Sequence, residues 1–168
     1  RKISIPKGWR PFPRPITALA YNHDNGTLAF GDYDGTIRFM DVPTGQVRHT
    51  RTASWCGPIR SLHFSPDGKA LAACAGLGTV CFWDAHRWQP LRKFEADGIA
   101  GCTQLALSTM VWASDGAAIA RVNNQQSSVE ILDSQSGDIL HVLSTNDNSM
   151  VCVSWSPNGK LVAAGTTN

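Results

Sequence analysis

Histidines, cysteines and aspartates are the side chains in this chain whose types could do chemistry, so their spacing is the first test. Zinc held on a helix needs two imidazoles one turn apart, as in H-x-x-x-H or H-E-x-x-H. His23, His49, His63, His86 and His141 offer no such pair. His63 stands beside Phe64 and is expected to face the other side of a strand, and His23 falls in a turn signal. Cys56, Cys74, Cys81, Cys102 and Cys152 are odd in number and contain no C-x-x-C. Three of them sit in apolar segments, which reads as reduced thiols acting as small hydrophobes in an intracellular compartment, cytoplasmic or nuclear. Nucleophilic catalysis and phosphate cradling have their own signatures, and neither G-x-S-x-G, G-x-x-x-x-G-K-[ST] nor G-x-G-x-x-G occurs. A Ser-His-Asp triad assembled from distant residues is not something a sequence excludes. No catalytic, cofactor-binding or metal-ligating residue is assigned, and no cofactor is expected.

Composition narrows the class. The 168 residues are 42% hydrophobic and 17% charged, with 15 Gly and 9 Pro spread along the chain. That pattern fits a globular domain of many short elements joined by turns. A net charge of +2 without a basic stripe argues against direct nucleic-acid binding. The cluster Arg48, His49 and Arg51 reads as solvated loop charge. No apolar run approaches the ~20 residues that span a bilayer, so no membrane insertion is expected. A chain opening on Arg1 is expected to be part of something longer.

The elements that must position these residues repeat. Turn signals recur at Asp24-Asn25-Gly26, Ser65-Pro66-Asp67-Gly68, Ser114-Asp115-Gly116 and Ser156-Pro157-Asn158-Gly159, with glycines 42, 48 and 43 residues apart. Before each turn runs an aromatic column, Tyr21, Phe64, Trp112 and Trp155, and after it an Ala-rich apolar strand. A third strand follows three times: Thr36 to Asp41, Thr79 to Asp84 and Ser128 to Asp133. A turn and a fourth strand complete each unit. Gly76-Leu77-Gly78 reads as the hairpin between second and third strands. Four strands at a period of about 43 residues is the arithmetic of a propeller blade.

On these residues the chain resembles the WD-repeat β-propeller family over Ile16 to Asn168, most specifically in Ile59 to Phe94, with Ser65-Pro66-Asp67-Gly68 and Trp83-Asp84. The resemblance implies an all-β fold of four-stranded antiparallel blades, a fragment of a larger ring. The expected division is a lead-in at 1–15, which completes a preceding blade, then blades at 16–57, 58–104 and 105–149 and the first half of a blade at 150–168. The remaining blades would come from the parent chain or from a second copy. Departures are plain: Met40-Asp41 and Leu132-Asp133 replace Trp-Asp, the Gly-His pair is missing, and the turn aspartate survives as Asp34 alone. The blades are therefore expected to depend on packing more than on buried polar bonds. Asp34, Asp41, Trp83, Asp84, Trp112, Asp133 and Trp155 are the structural repeat residues.

Function follows from the same resemblance, as analogy at fold level. Connections leading into first strands and between second and third strands surround the face where partners of such proteins often bind. This singles out Trp55, Tyr33, Leu77 and Ile99 as partner-binding candidates. Trp9, Trp55 and Trp88 lie outside the repeat columns, where exposed aromatics near arginine are typical anchors, and the long link Glu95 to Gln104 is a further candidate loop. The expected function is a non-catalytic scaffold that binds other proteins in an assembly. The alternatives are a sensory or regulatory propeller attached to a signalling kinase or NTPase, and a propeller-type hydrolase.

Overall fold

The computed structural model describes residues 15–24, 26–52, 57–75, 79–94, 109–123, 126–144 and 150–166. Among them every regular element is a strand, and all pairings are antiparallel. The first sheet is β1 (Ile16–Tyr21), β2 (Thr27–Asp32), β3 (Thr36–Asp41) and β4 (Gln46–Thr52), neighbours in chain order. The second repeats it as β5 (Ile59–Phe64), β6 (Ala70–Ala75), β7 (Val80–Asp84) and β8 (Pro90–Phe94). The third is β9 (Met110–Trp112), β10 (Ala118–Asn123), β11 (Ser128–Asp133) and β12 (Ile139–Ser144). A two-stranded sheet, β13 (Met150–Trp155) and β14 (Val162–Thr166), follows. The chain is thus an all-β stack of propeller blades. The register superposes the sequence columns: Tyr21 pairs with Leu28, Phe64 with Leu71, Trp112 with Ile119 and Trp155 with Val162.

Alternation along each strand divides its side chains between two neighbouring sheets. Ala29, Ile37 and Phe39 of the first sheet pack with Ile59, Leu62, Phe64, Leu71 and Trp83 of the second. From the other face of the second, Ala72, Cys74, Val80 and Phe82 pack with Met110, Trp112 and Ile119 of the third. Ala120, Val122, Val129 and Ile131 then meet Met150, with Val153 and Trp155 against them. Each fully buried Leu, Ile or Phe contributes about 1.5–3 kcal/mol, so the stabilisation resides between sheets. The Ala-rich second strands allow close approach: a Cβ on Gly31 would lie 2.5 Å from Ile59 Cγ2.

The outer turn carries a substitution that departs from its siblings. In each complete sheet, the amide four residues after the third-strand aspartate donates to that aspartate's carbonyl: Gly45 to Asp41 and Trp88 to Asp84 at 2.8 Å, Gly137 to Asp133 at 2.9 Å. The donor residue needs positive φ, and the values are 70° for Gly45, 57° for Trp88 and 81° for Gly137. A bulky residue there is a conformational outlier, costing roughly 1–2 kcal/mol. Trp88 is held by packing on the preceding sheet: its ring lies 4.3 Å from that of Phe39 and stacks on His49 at 5.5 Å. Arg51 Nε donates to its carbonyl at 2.7 Å. One interface down, the roles reverse. Gly137 is bare, and the ring of Phe94 from the preceding sheet fills the space its side chain would take. Arg48, His49 and Arg51 therefore lie on a strand rather than a loop, and Trp88 is a half-buried wedge between sheets rather than an exposed anchor. Sequence columns could not show this, because the contact is made to the neighbouring repeat.

Replacing Trp88 with Gly relieves the backbone but empties the wedge. The packing lost outweighs the strain relieved, so urea denaturation is expected to show Trp88→Gly destabilised by about 1–3 kcal/mol; a variant more stable than wild type would mean that strain dominates.

Candidate functional site

The repeat aspartates are committed to turns. Asp84 Oδ1 accepts the amides of His86 and Arg87 at 2.8 and 2.7 Å. Asp133 Oδ1 accepts those of Gln135 and Ser136, both at 2.8 Å. Asp41 Oδ1 accepts the Thr44 amide at 2.9 Å and its hydroxyl, and Oδ2 meets Arg48 at 2.7 Å. These donors hold the carboxyls below the usual range: the Thr44 hydroxyl first for Asp41, the Arg87 amide for Asp84, the Ser136 amide for Asp133. Asp67 is lowered too, first by the Ser65 hydroxyl 2.6 Å away. A groove of about 560 Å³ between the second and third sheets gathers Asp67, Asp84, Asp115 and Asp133 beside Lys69 and Arg92. Each aspartate caps its own turn. Arg92 is engaged as well, lying 4.6 Å over the Phe82 ring and donating to the Ser134 carbonyl at 2.5 Å. Among the described residues no group of His, Cys, Asp or Glu could hold a metal ion, and no helix is long and apolar enough to cross a membrane.

Buried polar chemistry lies where the sequence gave no column to follow. Asp32, 1% exposed, accepts the Asp34 and Thr36 amides at 3.0 and 2.9 Å and pairs with Arg38 at 2.6 Å. Asp34, expected as the surviving turn aspartate, is itself exposed. In the third sheet Arg121 stands directly across from Glu130 and binds its Oε2 through Nε at 2.7 Å and Nη2 at 2.6 Å. Asn123 donates to Oε1 at 2.6 Å. The second sheet has Ala73 opposite Cys81 at this place. Its Trp83 is 3% exposed, and the indole N–H has no acceptor among the described residues. The expected reliance on packing thus describes the second sheet, while the first and third keep buried ion pairs of their own. A signal existed in the sequence: Arg38, Glu130 and Arg121 interrupt otherwise apolar strands.

The remaining repeat residues behave as core, Trp112 at 8% exposed and Trp155 half-buried. Trp112 Nε1 donates to the His63 carbonyl at 3.2 Å, tying the third sheet to the second. Burial lowers the His63 pKa, which favours its neutral form. Cys74 and Cys81 are buried, whereas Cys152 is exposed on the two-stranded sheet. Of the partner-binding candidates, Tyr33 lies in the turn between β2 and β3, 40% exposed, with the Arg60 guanidinium 5.6 Å over its ring. Trp55, Leu77 and Ile99 lie outside the described residues.

Two outcomes follow. Glu130→Ala strands a buried guanidinium and is expected to cost about 3–5 kcal/mol in chemical denaturation, while Arg121→Leu with Glu130→Leu is expected to fold near wild-type stability; equal losses would show that the pair is not coupled. The lowered aspartates contribute stability that is fully present above the ordinary carboxylate range and lost as pH falls through their lower folded values. Asp84→Asn keeps the acceptor and removes the charge, so thermal melts from pH 7 to about pH 3 should decline less steeply than those of wild type.

With this geometry in hand, the chain can be set beside known proteins. The family model for the WD domain, G-beta repeat, matches residues 10–41 and 45–84, and that for the anaphase-promoting complex subunit 4 WD40 domain matches residues 97–158. WD repeat-containing protein 90 of Xenopus tropicalis is 27% identical over 124 residues, 73% of this chain and 7% of that protein. Coronin-7 of Pongo abelii is 30% identical over 110 residues, 62% of this chain and 11% of the relative. The U3 small nucleolar RNA-associated protein 18 homolog of Arabidopsis thaliana is 33% identical over 87 residues, covering 52% and 16% respectively. The chain thus spans no more than 16% of the length of these relatives. Matching repeats over both halves and the observed blades agree: the chain belongs to the WD-repeat family.

Proposed function

We propose that this chain is a non-catalytic scaffold that holds partner proteins in a multiprotein assembly inside the cell, in cytoplasm or nucleus, without direct contact to nucleic acid. WD-repeat proteins generally mediate protein–protein interactions and are typically non-enzymatic. One of the two matching family models is that of a complex subunit, in keeping with an assembly role. The observation that carries the reading is the contrast between spent and unspent chemistry. The repeat aspartates are consumed in capping turns. Tyr33 instead presents a half-exposed ring with a guanidinium over it, across the junction of two blades. A rigid aromatic beside arginine is the composition of an interface anchor. The proposed contact face combines Tyr33 with Trp55, Leu77 and Ile99, on blades bounded at 16–57, 58–104, 105–149 and 150–168.

Affinity capture of the full-length protein from its native cells, quantified by mass spectrometry, tests the proposal. A reproducible stoichiometric partner set is expected, weakened about tenfold by Tyr33→Ala. Recovery of the protein alone under mild salt would overturn it.

A further inference from the structure

The outer strands of the three complete blades differ in how their free edges are protected. Edge strands invite pairing unless charge or proline blunts them. β4 carries Arg48 and Arg51, and β8 carries Pro90, Arg92 and Lys93. β12 reads Ile-Leu-His-Val-Leu-Ser, is exposed at all six positions, and bears no acidic or strongly basic residue. Ile139, Leu140, Val142 and Leu143 are each 46–49% exposed. Among the described residues β12 is the terminal strand of its sheet, paired on one side with β11. The comparison is position by position. Val142 pairs with Glu130 where Thr50 pairs with Arg38 and Lys93 with Cys81. Leu140 sits in the bulge that holds Arg48 in β4 and Leu91 in β8. Apolar residues thus stand at places where the sister blades leave polar side chains in water.

We propose that β12 is a self-association edge that pairs antiparallel with β12 of a second copy. The strand is nearly palindromic about His141. An antiparallel register centred there sets Ile139 against Leu143, Leu140 against Val142 and His141 against its own copy. Moving the centre by one residue sets Ser144 against Leu140, or Asp138 against Val142. The centred register alone matches apolar with apolar at each flanking pair, and such cross-strand pairs are the unit of sheet stability. It also satisfies the unpaired edge amides and carbonyls and closes with two-fold symmetry, so no third copy is recruited at the same edge. A six-residue strand is far smaller than the roughly 20–30 residues a side of a standard interface. The pairing is therefore weak, dependent on concentration, and built to act alongside other contacts.

Sedimentation velocity on the 168-residue chain across a concentration series tests this. A monomer–dimer equilibrium is expected in the range of about 10–1,000 µM, the weak end of the affinity scale. Leu140→Arg with Val142→Lys places charges at sites where the sister blades carry Arg48 and Lys93, so the thermal melt should be unchanged while the dimer is lost. His141→Cys tests the register: opposed residues lie about 4.5–5.5 Å apart, within disulfide reach, so mild oxidation should crosslink two copies through position 141, as mapped by peptide mass spectrometry. A chain monomeric at every concentration overturns the proposal, as does a dimer that survives the double substitution or an oxidised His141→Cys chain with no link at that position.

Discussion

Burial between successive sheets is the interaction on which the rest of this structure depends, because each sheet is apolar on both faces and has no layer of its own to cover them. A two-faced sheet left alone would expose Ile37, Phe39, Phe82 or Ile131; stacked, these become core. The consequence runs down to single residues. Alanines and Gly31 keep the second strands slim enough for neighbouring sheets to approach, and the large side chains on first and third strands fill the space between. Stability in such an array is a sum of units and nearest-neighbour interfaces. Features of one interface can therefore vary without disturbing the next.

That freedom is visible in how the interfaces are made. At the outer rim, Trp88 reaches back onto Phe39 and His49, while one blade later Phe94 reaches forward over Gly137. The same gap is filled from opposite sides, at the cost of a left-handed tryptophan in one case. In the strand interiors, the first and third blades hold Asp32–Arg38 and Arg121–Glu130, where the second offers Ala73 and Cys81. A desolvated ion pair adds little net stability over an apolar pair of similar volume, but it strongly penalises any packing that separates its members.

Turn chemistry, by contrast, is uniform, because it answers to the backbone of its own repeat. An aspartate at the end of each third strand gathers the amides of the turn that follows, and an Asp or Asn does the same between first and second strands. Acidic residues that cluster in the groove between blades are there as caps. The surface left for partners consists of side chains that serve no turn and no interface, and Tyr33 and the strand β12 stand out among the described residues on that ground.

The repeat, the strand order within each blade and the turn aspartates were legible from sequence, because each depends on neighbours within about 43 residues and recurs often enough to form columns. The aromatic column Tyr21, Phe64, Trp112 and Trp155 aligned as the registers later did. What the sequence left undetermined was every relation between one repeat and the next. Trp88 read as a loose loop aromatic because its partners Phe39 and His49 belong to another blade. Asp34 read as the structural aspartate because adjacency to Gly35 is local, whereas the buried role of Asp32 rests on an Arg38 that only strand pairing brings back to it. Hydrophobic periodicity names the side chains that must leave water; only the stacking of sheets decides which of them meet.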